Sequence, residues 1–208
     1  MLAELLGSKS RSRVIAALLI APSRRLHLRA LVRAAGGGVA SVQRELERLE
    51  DMGLVTSAMD DAGRRQITLV EGHPFTAPLE DMLAADPRAQ YEVRSASVPN
   101  LDPVVAEALA GSVVAIVTGF DPDKIVLFGS QAQGTAEWDS DIDLLVVLPE
   151  VRDPLEDAVA LRCAVGDVAR GVDVVPTDYR GIEQAKMRRA SVIRDALETG
   201  VTLYDRSV

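Results

Sequence analysis

Gly129-Ser130-Gln131-Ala132-Gln133-Gly134, then five residues, then Ser140-Asp141-Ile142-Asp143-Leu144, is the most informative stretch of this 208-residue chain. Just before it, Lys124–Phe128 reads as a buried strand, with Ile125, Val126, Leu127 and Phe128 in one apolar run. The strand delivers a Gly-Ser corner and a small-residue turn. Glycine there lets backbone N–H groups approach an anion with no Cβ in the way, and the Ser130 hydroxyl can add a bond. A helix beginning at Ser130 would turn its positive end toward a phosphate. Asp141–Leu148 reads as the next strand. Asp141 and Asp143 are two apart, so their carboxylates project from one face, and Ile142, Leu144 and Val146 from the other. Two carboxylates converging in a partly buried place repel each other unless a cation lies between them. Mg²⁺, a hard ion that takes oxygen ligands and bridges carboxylates to phosphates, suits such a pair. Asp173, in a strand Val172–Pro176, makes a third acid at the same cleft if that strand pairs beside Asp141–Leu148. Asp178, just past Pro176, competes for the role. Three carboxylates around one cleft suit two-metal phosphoryl or nucleotidyl transfer.

These residues resemble the nucleotidyltransferase superfamily that includes DNA polymerase beta. Its pattern is Gly-Ser, a small-residue turn ending in Gly, Asp-x-Asp, and a third acid on a later strand. The minimal nucleotidyltransferases are the most similar branch, with Gly-Ser-x-Ala-x-Gly, five residues, and Ser-Asp-Ile-Asp-Leu. The resemblance covers about residues 103–205. Six fixed positions at average usage match by chance somewhere in such a chain with a probability on the order of 10⁻⁵. It implies Gly129, Ser130 and Gly134 as nucleotide contacts and Asp141, Asp143 and Asp173 as catalytic metal ligands. It also implies Mg²⁺ or Mn²⁺ as the metal and ATP, or another NTP, as the substrate. The reaction would move NMP to an acceptor hydroxyl and release pyrophosphate. Minimal nucleotidyltransferases often act as antitoxins that modify a HEPN-type ribonuclease toxin, so such a protein is an implied partner. Gln133 departs from the pattern: this branch often has Arg there, and a phosphate-facing cation is lost.

Ahead of this domain, three helices are expected at Ser10–Ala21, His27–Ala35 and Val39–Met52, closed by Pro22, Gly36–Gly38 and Gly53 respectively. Two short strands, Leu54–Ser57 and Gln66–Val70, flank a turn at Asp60–Gly63. Residues 1–72 resemble a winged helix-turn-helix in its ArsR- or MarR-like forms. That resemblance implies double-stranded DNA as a partner, with the third helix in the major groove and the hairpin on the backbone. The contact residues would be Ser41, Gln43, Arg44 and Arg48 on the helix and Arg64 and Arg65 on the wing, with His27 or Arg29 as weaker candidates. Residues 73–102, interrupted by Pro74, Pro78, Pro87 and Pro99, read as a connector with a short helix at Leu79–Ala85. The second domain, 103–208, then alternates: helix Pro103–Gly119, the strands above, helix Pro154–Arg170, helix Tyr179–Glu198 and strand Val201–Tyr204. The expected fold class is α/β (α+β): a winged helix-turn-helix followed by a short mixed sheet flanked by helices.

Composition sets the outer bounds. A 48% hydrophobic content excludes a wholly disordered chain, and the single Cys163 excludes an internal disulfide framework. The apolar runs, the longest read at Val14–Pro22 and Ile142–Pro149, fall short of a membrane span, and the first residues lack a signal-peptide core. A cytoplasmic protein is expected. Residues 1–72 carry 11 Lys and Arg against 8 Asp and Glu, net +3, whereas the remainder carries −11. Nucleic acid is therefore an expected partner of the front alone, and so few net charges favour a homodimer that doubles the contacts. Lys186, Arg188, Arg189 and Arg194 are either phosphate contacts or a solvated helix face. Trp138 either stacks or packs. A transcription regulator that senses a nucleotide without turnover is the alternative function.

Overall fold

A short helix α1 (Leu2–Leu5) leads into α2 (Lys9–Ile20), whose entry is capped by Ser8 Oγ accepting from Arg11 N at 3.2 Å. The computed structural model describes residues 2–21, 23–166, 171–188 and 190–207. Pro22, expected to close α2, lies outside them. Then follow β1 (Arg25–His27), α3 (Leu28–Ala35), α4 (Val39–Asp51), β2 (Val55–Met59) and β3 (Arg65–Leu69). Left-handed Gly36 ends α3, and left-handed Gly53 follows the end of α4. The three strands form an antiparallel sheet ordered β1-β3-β2. Strand β1 was not expected, because a three-residue strand shows no alternation; its register with β3 (Leu26 opposite Ile67) is what defines it.

The stretch expected to be a connector is a correction. It carries α5 (Thr76–Ala84), α6 (Pro87–Arg94) and a 3-10 turn at Ser95–Ser97, and the first compact unit runs to Ala96. Leu79, Leu83 and Val93 from it join Val14, Ile15, Leu18, Leu31, Val42, Leu46, Leu49, Ile67 and Leu69 in one core. Two of the four prolines in this stretch mark helix starts. Pro78 lies in the first turn of α5 and Pro87 at the start of α6, where the missing N–H has no helical partner in any case.

Glu45, on the buried side of α4, is one of the polar residues buried in this unit, with Ser12, Thr76, Asp86 and Gln90. It accepts from Ser8 Oγ at 3.0 Å and from Arg11 Nε at 3.0 Å. Burial acts to raise its pKa, but those bonds and the charges of Arg11 and Arg48 outweigh it and hold the carboxyl below its usual value. A lowered folded-state pKa contributes stability that is present above the unfolded value and lost as pH falls through the folded one. Glu45→Gln is therefore expected to cost about 1–3 kcal/mol at neutral pH. It should also lose less stability than the wild type between about pH 5 and pH 3. Urea midpoints measured across that range check this; parallel curves for the two proteins would refute it.

The second unit, Ser97–Ser207, has a four-stranded sheet. Helix α7 (Pro103–Phe120) precedes β4 (Lys124–Phe128), α8 (Gly129–Gln133) and β5 (Ile142–Val147). Helix α9 (Pro154–Val165), β6 (Val172–Thr177), α10 (Tyr179–Lys186), α11 (Val192–Thr199) and β7 (Val201–Asp205) complete it. The order is β6-β5-β4-β7, with β6 parallel to β5 and the other pairs antiparallel. This is the mixed α/β arrangement expected. Pro176 is tolerated because β6 is an edge strand. Asp102 and Asp153 cap α7 and α9, each followed by proline at the helix start. The expected helix end at Arg170 lies outside the described residues. The single helix expected over Tyr179–Glu198 is two: α10 stops at Lys186, and Ser191 caps a new start by accepting from Arg194 N. A second correction concerns apolar runs. Helix α7 has 18 residues at a mean hydropathy of 1.8, long and apolar enough by length and composition to cross a membrane. Its Ala and Gly residues dilute the run to the eye; within this unit it packs on α9.

Candidate active site

Strands β4, β5 and β6 bring the motif together. Phe128 pairs opposite Asp143, and Asp143 lies beside Asp173 in the parallel β5–β6 ladder. Paired residues share a face, so Phe128, Asp143 and Asp173 line one side of the sheet. The same side continues into Val126, Leu145 and Val175, packed with Ala196 of α11. The acids are therefore the polar end of an apolar row. Asp141 stands one residue before β5, where Ile142 N donates to Gly171 O at 2.9 Å. Burial first, then the negative charges of Asp173 and Asp141, push the Asp143 carboxyl above its usual pKa.

The donor set is all carboxylate oxygen, which fits a hard divalent ion such as Mg²⁺ or Mn²⁺. A cation there would offset the repulsion that raises Asp143. Among the described residues, no three or more His, Cys, Asp and Glu stand close enough together to hold a metal ion. Mg²⁺ needs no such cage, because it keeps several waters and is commonly held by one or two carboxylates and the substrate's phosphates.

Two glycines make room for two of the acids. Gly129 has φ +69°, and a Cβ there would overlap Asp143 Oδ2 and sit 3.2 Å from its Cγ. A Cβ on Gly171 would overlap Asp141 Oδ1 and sit 2.9 Å from its Cγ. Gly171 was missed in the sequence, since nothing local marks it. Ser130, half-buried, is the second residue of α8. Gly134 ends α8 in the left-handed region, and a Cβ on it would come within 2.7 Å of Pro99 Cβ. Its visible work is to end that helix and pack closely. Gln131, also missed, is buried and donates to Ser140 O at 3.3 Å, while Ser140 Oγ accepts from Glu137 N at 2.8 Å. This pair ties α8 to the segment that leads into the acids.

The competitor Asp178 caps α10: its Oδ1 accepts from Gly181 N at 2.8 Å and its Oδ2 from Val151 N at 3.3 Å. The Gly181 bond leads the causes that hold its carboxyl below the usual range. Trp138 is 83% exposed and packs little within its unit. Lys186 is engaged with Glu183 at 2.6 Å, and Arg194 NH1 donates to Arg188 O at 2.7 Å. Arg189 lies outside the described residues.

In the first unit the expected DNA contacts separate. Arg44 and Arg48 are exposed on α4, and Gln43 is half-buried. Ser41 is not on the open face: its Oγ lies 2.9 Å from Ser10 Oγ, against α2. Arg64 is held by Asp60 at 2.8 Å, and Arg65 by Glu50 at 3.0 Å and Ser57 at 3.1 Å.

Residues 112–203 match the family model described as nucleotidyltransferase domain, a span running from within α7 into β7. The match identifies this part of the second unit as a nucleotidyltransferase domain and supports a nucleotidyl-transferring activity for it. Comparison with curated proteins and with solved structures gave no match.

Proposed function

We propose that the second unit transfers NMP, with ATP as the first candidate donor, to an acceptor hydroxyl. The observation that carries this reading is the in-register pairing of Asp143 with Asp173 next to Gly129, with Asp141 two residues away. Asp141, Asp143 and Asp173 would hold Mg²⁺ or Mn²⁺, which supplies positive charge to the substrate phosphates. The acceptor oxygen forms a bond to the α-phosphorus as the bond to pyrophosphate breaks. Asp173, exposed on the edge strand, takes the acceptor proton. The Ser130 hydroxyl donates to a phosphate oxygen, and Gly129 keeps the backbone close to the same group. By resemblance to the minimal nucleotidyltransferases, the acceptor is a side-chain hydroxyl on a HEPN-type toxin, which makes the chain an antitoxin.

The first unit is read as a winged helix-turn-helix that binds double-stranded DNA as a homodimer and regulates transcription. Its element order supports this: α2, α3 and α4, then the β2–β3 hairpin, with β1 closing the small sheet. Arg44 and Arg48, both exposed on α4, would be the side chains that read base edges, Arg48 from its pair with Glu45 at 3.4 Å.

The test is incubation of the full chain with α-labelled ATP, Mg²⁺ and host extract, beside Asp141→Asn/Asp143→Asn. Label on an acceptor with the wild type alone supports transfer, and the acceptor's size gives its class. One observation favours a second reading, a nucleotide-sensing regulator: Asp141 rests on Gly171, and among the described residues no three or more His, Cys, Asp and Glu stand close enough together to hold a metal ion. Nucleotide binding that alters DNA affinity, with no label transferred from any NTP, would select it.

A further inference from the structure

The first unit has a cleft of about 540 Å³ between the start of α3 and the turn joining β2 to β3. Its cationic lining is Arg29, Arg33, Arg64 and Arg65, with His27 and Gly63 beside them. Two of these charges are already matched. Asp60 accepts from Arg64 Nε at 2.8 Å, and Arg65 pairs with Glu50 at 3.0 Å. Arg29 and Arg33, both exposed and one turn apart on α3, form no ion pair among the described residues. Among the described residues none of those lining the cleft is acidic, and the nearest carboxylate, Asp60, stands at its rim. Like charges at this spacing weaken a helix slightly, so the pair is kept at some cost to α3. His27 Nδ1 is screened from solvent and among the described residues has no hydrogen-bond partner, 3.8 Å from the Asp60 carboxylate. An orphaned polar atom beside uncompensated guanidinium groups is the arrangement an incoming anion would satisfy.

We infer that this cleft binds a phosphate group, held chiefly by Arg29 and Arg33. Arg33 was not among the residues expected from the sequence to touch nucleic acid, and Arg65 contributes less than expected because Glu50 holds it. The inference refines the DNA-binding reading of this unit, and the phosphate can come from a duplex backbone or from a free phosphorylated ligand. Arg64 is positioned by Asp60, which also accepts from the Arg64 and Ala62 backbone N–H groups and so fixes the turn at the cleft rim.

Fluorescence anisotropy of the full chain with a random-sequence duplex, at several salt concentrations, is the experiment, with inorganic pyrophosphate and ATP as separate titrants. Arg29→Ala/Arg33→Ala is expected to weaken duplex binding about tenfold or more and to lower the salt slope by about two. Arg88→Ala, an exposed charge on α6, should leave both unchanged. If the double variant binds duplex, pyrophosphate and ATP as the wild type does, the inference is overturned while the DNA-binding reading stands. If pyrophosphate or ATP binds through these two arginines and the duplex does not, the phosphate site stands and the DNA-binding reading falls. Binding of none of the three probes by the wild type overturns both.

Discussion

Asp143→Asn is expected to abolish transfer and to make the protein more stable. The loss follows from removing the most enclosed of the three carboxylates, and several kcal/mol of stabilisation at the reacting phosphate corresponds to about a 10³-fold fall in rate. The gain in stability follows from the Asp143 environment. Burial and the charges of Asp173 and Asp141 raise its folded-state pKa above the unfolded value. Such a group favours folding below the unfolded pKa, and that contribution is lost as pH rises through the folded one. At neutral pH the wild type therefore carries a carboxylate that opposes folding, and asparagine removes the charge at nearly the same volume. Scanning calorimetry in the presence of a chelator should show the variant melting a few degrees higher. Its melting temperature should also depend less on pH across the carboxylate range. A variant that melts below the wild type would mean that Asp143 makes compensating bonds the acid cluster does not show.

The parts of this molecule readable from sequence are those whose reasons are local. The apolar run Ile125–Phe128, the Gly-Ser corner and the alternation through Asp141–Leu148 each report their own conformation, and the structure pairs them as β4, α8 and β5. The position of Asp173 was conditional on β6 lying beside β5, and the ladder puts it level with Asp143. What stayed hidden depends on neighbours distant in the chain. Four prolines suggested a connector at 73–102, but the apolar faces of α5 and α6 find the core of the first unit. Glu45 follows the expected contact Arg44 directly in the chain, and yet it is buried against Ser8 and Arg11. Ser41 read as a DNA contact, and it faces Ser10. No spacing rule distinguishes an arginine held by Glu50 from one that forms no ion pair among the described residues, which is why Arg65 was named and Arg33 was not.

Gly171→Ala is the substitution for which sequence and structure differ most in what they lead one to expect. By sequence, Gly171 is a small residue ahead of a strand, and alanine there should be neutral or mildly stabilising through lost backbone freedom in the unfolded chain. Its φ lies outside the left-handed region, so the backbone accepts alanine. The added methyl group, however, falls where Asp141 Oδ1 now lies. The carboxylate is the end of an exposed side chain, and it can yield where backbone cannot. Stability should thus change by less than about 0.5 kcal/mol. Displacing the carboxylate by about 1 Å is expected to lower kcat on the order of 10²-fold. The KM for the nucleotide should move with it, since the carboxylate and the substrate phosphates would share the same ion. A rate within twofold of wild type would show that Asp141 works from a position independent of Gly171, and so that its resting place on this glycine has no part in the chemistry. Full loss of transfer with an unchanged melting temperature would mark Gly171 as the residue that positions Asp141, a role set by the packing of Asp141 against Gly171 ahead of two neighbouring strands.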